Sequence, residues 1–432
     1  MPASLSSTRA ALVSAAAGLA LVGVAIAVPA WTGEDVRVHW PPLHADWDPR
    51  FGLLTLPAIA IGLILWTALP RIAERATWRV LLVTAFAGTW IWTMALAMTE
   101  GSDGLARVFE RPGEYVYDAQ RVDSIATMLQ TFVDHIPMDS PDNWHTHVAG
   151  HPPGALLFFV LLDRLGITDP FWIGVAVVTI GSTAAVAVLV TLKTLGSANL
   201  ARRAMPWIVL APTAVWMGVD GDALFTAVAA WGIALLAIAA VSRRALPAIA
   251  AGLLLGLCVY LSYGLVLLGI LAVAVLIIAR TWKPLPWALG GSAVVAAIFT
   301  AVGFAWWEAY PVLRERYYDG IASERAYSYW VWADFAAWTF TVGLVVWAAF
   351  PRAARAFREG DVLARLAGAA LLTVLVASLS GMSKAEVERI WLPFTIWIVA
   401  LPTLLPARWH RPALLSQVVL ALCVQQLLLT RW

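Results

Sequence analysis

The sequence predicts an all-α polytopic membrane protein of about 13 transmembrane helices, with an interfacial helix and a large external loop. Three observations predict it. First, 61% of the 432 residues are hydrophobic and only 13% are charged, against roughly 45–50% and 25% in a soluble domain. One soluble core could not hide that excess, which excludes an ordinary globular enzyme or a disordered chain. Second, the apolar residues fall into twelve windows free of charge. They do not alternate apolar with polar, so they read as helices and not as barrel strands. Third, acids and bases separate to opposite sides of those windows. The formal net charge of +2 leaves no basic surface for a phosphate backbone, so nucleic acid is no partner. Cys258 and Cys423 lie inside apolar runs and form neither a disulfide framework nor a zinc site.

The first window, 11–31, ends at Val28-Pro29-Ala30 like a cleaved signal peptide, but its n-region holds only Arg9 and the run is long, so a retained helix is expected. Windows 51–70 and 80–98 follow, then the loop 99–152. Residues 115–133 of that loop carry Tyr115, Val122, Ile125, Met128 and Leu129 near helical spacing, which predicts an amphipathic helix on the membrane surface. Residues 153–166, short and carrying Asp163 and Arg164, read as an interfacial helix. Spans are expected at 170–192, 204–219 and 223–242. The window 245–279 is too long for one span and breaks at Tyr260–Gly264 into two. The last spans are 284–307, 335–351, 366–383, 390–407 and 412–430, with external segments at 308–334 and 381–389. No linker divides the chain, which reads as a single integral membrane domain over 1–432.

Lysine and arginine set direction. With the N-terminus cytoplasmic, Arg71, Arg75, Arg79, Arg202, Arg203, Arg243, Arg244, Arg408 and Arg411 all face the cytoplasm, while of the 27 acids only Glu74, Glu359 and Asp361 do. Trp432 then ends outside.

The polar chemistry gathers in the external segments. The loop 99–152 holds nine acids, among them Asp103 and Glu114, against three bases. Asp220-Gly221-Asp222 is a tight turn after a short window, 204–219, of roughly 24 Å, so its acids are expected below the lipid surface in a cavity. Asp222 could equally cap the next helix. Gly381 to Arg389 packs Lys384, Glu386, Glu388 and Arg389 between two spans. Lys384 and Arg389 suit a phosphate, with arginine as a fork; the alternative is a self-neutralising turn. His145, His147 and His151 gather before Pro152-Pro153-Gly154. Histidine can bind a divalent cation, but no carboxylate is fixed beside these three in sequence, so a divalent cation stays an open alternative and a hydrogen-bonded turn is the simpler reading.

A large acidic external loop closing on His151-Pro152-Pro153-Gly154 resembles the type C (GT-C) membrane glycosyltransferases, which include protein O-mannosyltransferases and aminoarabinose transferases. Gly113-Glu114-Tyr115-Val116-Tyr117-Asp118 is similar to their loop opening, with glycine where many relatives have aspartate. The loop here follows the third span and not the first. His147 to Gly154, Ser262-Tyr263-Gly264, Arg316-Tyr317-Tyr318-Asp319-Gly320 and Ser380 through Phe394 look like actinobacterial methylthioxylose transferases, which decorate the mannose caps of lipoarabinomannan.

The resemblance implies an inverting transfer of a sugar from a polyprenyl-phosphate donor to a cell-envelope glycan or lipoglycan, at the outer face of the bacterial plasma membrane. It implies Glu114 as general base with Asp103 as second choice, and Asp222 orienting the acceptor. Lys384, Arg389 and Arg325 would hold the donor phosphate, with Glu388, His151, His147 and Tyr263 lining the substrate site. The competing reading is a membrane transporter or a flippase for lipid-linked sugars. It predicts charges meeting at the membrane midplane and not near its outer surface.

Overall fold

A computed structural model describes residues 2–218 and 220–430, so the expected external end at Trp432 lies outside the described residues. The chain is all-α, apart from one two-stranded pairing of Ala45–Trp47 with Leu428–Thr430. Among the described residues, six helices are long and apolar enough to cross a bilayer: Ser7–Thr32, Thr55–Arg75, Trp78–Glu100, Pro170–Leu195, Asp222–Ser242 and Val362–Leu379. Two bent pairs, each counted as one span, raise the number to eight. Asp222–Ser242 is the central span, 72% buried within the protein, whereas Ser7–Thr32 is 17% buried and lies at the periphery. The first window is therefore a helix packed on the body of the protein, held where Ser14 donates its hydroxyl to the Trp347 carbonyl at 2.6 Å.

The expected break in 245–279 is present. The helix Ala245–Leu261 ends at Ser262, whose backbone is extended, and the chain resumes as a 3-10 turn Tyr263–Leu267 and the helix Leu268–Ile278. Residues 153–166 form the helix Pro153–Arg164, only 12 residues. At 1.5 Å per residue that is about 18 Å, too short for the roughly 30 Å hydrocarbon core.

Four expected elements take another shape. Residues 115–133 are not one amphipathic helix but two short ones, Tyr115–Ala119 and Ile125–Thr131. Ser124 interrupts them, its side chain accepting from the Thr127 amide to start the second helix. Tyr115, Val122, Met128 and Leu129 are buried against the protein's own core. The window 204–219 is not a straight span. Its helix, Ala198–Val209, carries Pro206 and stops at Leu210, and a 3-10 turn, Pro212–Val215, follows. The window 390–407 is likewise a chain of short turns, Val387–Ile390, Leu392–Thr395 and Leu401–Leu404, punctuated by Pro393 and Pro402. Proline lacks the amide that an α-helix needs. Residues 204–218 and 391–403 are buried throughout, the condition under which irregular backbone is tolerated at membrane depth. The window 335–351 contains a corner: Tyr327–Val342 and Leu344–Glu359 bend by 103°.

That corner is Gly343, at φ +76°, where a Cβ would come within 2.0 Å of Gln417 Oε1. Gln417 in turn donates its side-chain amide to the Val342 carbonyl at 2.9 Å.

The polar segments all meet at one end of the helices. Arg37 pairs with Glu324 at 2.9 Å and Arg50 pairs with Glu100. Arg316 donates to the carbonyls of Ile136 and Trp144, and Lys384 donates to the Ala322 carbonyl at 2.8 Å. The loop 99–152 is thus tied to 33–54 and 308–334, and 308–334 is tied to 381–389.

Gly343→Ala is expected to cost more than about 1 kcal/mol, because both the backbone angle and the Gln417 contact forbid a side chain. Melting of the detergent-purified variant checks it; a wild-type melting temperature would show that the corner yields without cost.

Candidate functional site

Beneath that polar end, three distant stretches bring six ionisable side chains together. The first stretch is the loop 99–152. Glu114 directly precedes the helix Tyr115–Ala119, and His147 sits in the turn Thr146–Ala149. The His147 amide donates to the Gly113 carbonyl at 3.1 Å, which sets the two side chains face to face. Asp118 reinforces the pairing, accepting from the His145 amide at 3.0 Å and lying 2.9 Å from its ring.

The second stretch is the turn at 220–222, where Asp220 leads into the span and Asp222 is its first residue. Asp222 makes no capping bond; it faces Arg389 instead. The third stretch is 381–389. Ala385 and Glu386 both take the left-handed backbone, at φ +65° and +62°. Such conformations cost on the order of 1–3 kcal/mol each and persist only when the surroundings hold them. Here Asp334 accepts from the Ala385 amide at 3.0 Å, and Arg325 donates to the Lys384 carbonyl at 2.8 Å and reaches Glu386 at 3.2 Å. The turn aims Arg389 inward.

Arg389 is the hub. Its guanidinium lies 2.8 Å from Asp222, 3.0 Å from Asp220 and 2.9 Å from Glu386, and 3.4 Å from the Nε2 of His147. The other ring nitrogen of His147 lies 2.8 Å from Glu114 and 3.4 Å from Asp220. Glu114, Asp220, Asp222 and Arg389 are all buried.

Burial and Asp220 raise the Glu114 carboxyl above its usual value, against the pull of His147 and Arg389. Burial works against a charged His147, but Glu114 and Asp220 outweigh it and push the imidazole up to about 10. The two shifts place the shared proton differently, and the geometry puts it between them: Nδ1 of His147 faces Glu114 at 2.8 Å, while Nε2 faces an Arg389 N–H and is the accepting nitrogen. Burial would also raise Asp220, yet His147 and Arg389 hold it well below the carboxylate range. His151 lies behind the cluster. Its Nδ1 is 2.8 Å from the His147 carbonyl, which can only accept, so this nitrogen carries the proton. Burial lowers its pKa to about 4, so it stays neutral.

Of the residues singled out in the sequence, Glu114, His147, Asp222 and Arg389 converge here. Arg325 and Lys384 flank them through Glu386 and the backbone. Glu388 is buried on the same turn, and burial raises it to about 7. Asp103 is exposed on its own short helix, its side chain beside Ser102 and outside the cluster. Tyr263 packs instead against Trp306 and Tyr310, with ring centroids 5.5 and 5.7 Å away. Two cluster residues, and one that borders the cluster, carry no assigned role in the sequence. Asp220 shares the turn with Asp222, and that spacing was the available signal. Glu386 stood in the sequence as a neutralising neighbour. His44, whose Nδ1 is 3.6 Å from Glu386, comes from the first external segment and had none.

Glu114, His147 and Asp220 place one ligand atom each within 4.8 Å of one another, a set that could hold a metal ion. The same atoms are satisfied by a proton on His147 and by the Arg389 guanidinium. Compared with protein-family models and with curated proteins, the chain finds no match.

Two outcomes follow from the buried charges. Arg389→Ala leaves three carboxylates without their shared cation, and is expected to cost about 3–5 kcal/mol. Arg389→Lys keeps the charge without the fork and should fall between. Melting in detergent reads both; an Arg389→Ala variant as stable as wild type would mean that the carboxylates do not depend on it. For Glu388, the folded state holds a proton that the unfolded chain releases between the ordinary carboxyl value and about 7. Stability therefore falls as pH rises through that window. Glu388→Gln should melt near wild type at about pH 5 and gain up to about 3 kcal/mol at about pH 8. Equal melting at both pH values would show that Glu388 is not held protonated.

Proposed function

We propose that the chain is an inverting glycosyltransferase of the type C class, which moves a sugar from a polyprenyl phosphate to a hydroxyl of an envelope glycan or lipoglycan. The observation that carries this reading is the meeting of Glu114, Asp220, Asp222 and Arg389 at the end of the span Asp222–Ser242, not midway along it. A transport path would need its charges near the middle of the spans. The cluster also brings the acidic-loop residue next to the turn that carries the flanking bases.

In this reading Glu114 takes the proton of the acceptor hydroxyl as that oxygen bonds to the anomeric carbon. The bond from that carbon to the phosphate oxygen breaks, its electron pair leaves with polyprenyl phosphate, and the centre inverts. His147 holds Glu114 in place and favours its ionised form, against burial and Asp220. Arg389 fixes Asp220 and Asp222, which orient the acceptor, because three carboxylates already share its guanidinium. The leaving phosphate then falls to Lys384, with Arg325 beside it. Lys384 donates to one neutral carbonyl and lies 5.2 Å from the Tyr318 ring, so its ammonium keeps donors for an anion.

The finer points belong to this proposal: about 13 crossings, some made by bent or broken helices; a cytoplasmic N-terminus; the outer face of an actinobacterial plasma membrane; methylthioxylose as the sugar; and capped lipoarabinomannan as the acceptor. One observation favours the second reading, a transporter or flippase. The buried broken segments around 204–218 and 391–403 are the kind of discontinuous helix that transporters use. Flux of a labelled polyprenyl-phosphate sugar into proteoliposomes without acceptor would support it.

Glu114→Gln keeps the size and removes the proton-accepting charge. Transfer from labelled polyprenyl-phosphate sugars in membranes should fall by roughly 10²–10⁴-fold at unchanged expression. Activity within a few-fold of wild type would move the base to another carboxylate of the cluster. Chelator should leave transfer unchanged, because both nitrogens of His147 are already engaged, Nδ1 with Glu114 and Nε2 with Arg389. Loss with EDTA and recovery with a divalent cation would instead put that cation at Glu114, His147 and Asp220.

A further inference from the structure

A cavity of about 450 Å³ opens between the end of Thr55–Arg75, the helix Ala198–Val209 and the start of Ala407–Leu427. It lies at the opposite end of the molecule from the carboxylate cluster. The far ends of the first and last of these helices are joined on the polar side, where Thr55 donates to Gln426 at 2.7 Å and Arg50 donates to the Leu428 carbonyl at 2.6 Å. Each of these two helices has 21 residues, about 30 Å of length.

Arg71, Arg202, Arg203 and Arg411 line the cavity, and Glu74 is the one acid in its wall. Among the described residues, none of the four guanidiniums lies within ion-pair distance of a carboxylate. Three of them are held by neutral groups instead. Arg202 donates to the Ala73 carbonyl at 2.9 Å, and Arg203 to the Thr403 carbonyl at 2.7 Å. Arg411 lies over the Trp66 ring at 4.8 Å, and the indole N–H of Trp66 donates to the Arg411 carbonyl. A guanidinium anchored through one nitrogen keeps further N–H donors for an anion.

Four such cations facing one carboxylate repel one another unless an anion enters. Beside Thr67, Asn199 and His410, the rest of the wall is apolar, with Pro70, Pro206, Trp207 and Leu414 set between helix ends. Free phosphate has no use for that surface, whereas the glycerol and first methylenes of a lipid do. Basic pockets between helices at a membrane surface are the recurring form of anionic headgroup sites.

We propose that this cavity binds the phosphate of an anionic phospholipid, on the membrane face opposite the carboxylate cluster. The inference does not rest on the transferase reading.

The test is native mass spectrometry of the full-length detergent-purified protein, titrated with phosphatidylglycerol and with phosphatidylcholine of the same acyl chains. Phosphatidylglycerol should bind at least about ten-fold more tightly, and Arg202→Ala and Arg411→Gln should each weaken it by about five-fold. Arg79→Ala, an exposed arginine near that end but outside the cavity, should leave it unchanged. Arg411 is itself exposed, so its variant keeps the test alive if Arg202→Ala fails to fold. Rising salt should weaken phosphatidylglycerol binding to the wild-type protein. Equal binding of the two lipids, or an Arg79→Ala loss as large as that of the cavity variants, would overturn the proposal. So would displacement of the lipid by millimolar inorganic phosphate, which would make this a site for a soluble anion.

Discussion

One buried guanidinium carries much of the organisation of this chain. Arg389 reaches Asp220, Asp222 and Glu386 within 3.0 Å. Charges this far from water are costly unless each has a partner. Removing Arg389 therefore leaves three uncompensated carboxylates, and the stretches that supply them are bound to one another by that cost. The strained turn at Ala385 and Glu386, the tight turn before the central span and the closure of His147 onto Glu114 all serve the same contact set. A densely paired buried network is also rigid, and rigidity is what a site needs if it is to hold an acceptor hydroxyl against one carboxylate.

The same constraint explains the two irregular stretches. The chain cannot bring Asp220 and Arg389 together from two straight spans, because each must turn inward just where a helix would continue outward. Pro206 and Pro212 break one stretch, Pro393 and Pro402 the other, and the surrounding helices cover the backbone this exposes. The molecule is consequently two-ended. Carboxylates and their few cations fill one end, and four arginines, two of them bonded to neutral carbonyls, line a cavity at the other. A protein working on a lipid-linked substrate at one surface, anchored by lipid charge at the other, would be built this way.

The straight apolar helices and the places where polar chemistry gathers were legible in the sequence, and so was the break at Ser262. Hydropathy finds such helices because it measures how apolar a stretch is. It says nothing of shape, and a stretch wrapped in protein is as apolar as one wrapped in lipid. That is why 204–219, 335–351 and 390–407 read as straight spans. The prolines were visible, but a proline inside an apolar run signals either a kink or a break, and only the packing decides. The loop 115–133 shows the converse: its helical spacing is real, yet the apolar residues found a protein surface in place of the membrane, and Ser124 restarted the helix. Within the site, Glu114, His147, Asp222 and Arg389 stood out because each sits in a dense polar stretch. Asp220 was hidden beside Asp222, and His44 could be found only once the first external segment had folded over Glu386.

The most direct measurement is transfer by an Asp220→Asn variant in membranes, from labelled polyprenyl-phosphate sugars, with melting of the purified protein measured alongside. Asp220 touches both His147 and Arg389, so it joins the proton-holding pair to the hub. The account predicts a variant that still folds and inserts, with transfer reduced by on the order of a hundred-fold or more. A folded Asp220→Asn protein that transfers sugar as wild type does would contradict it.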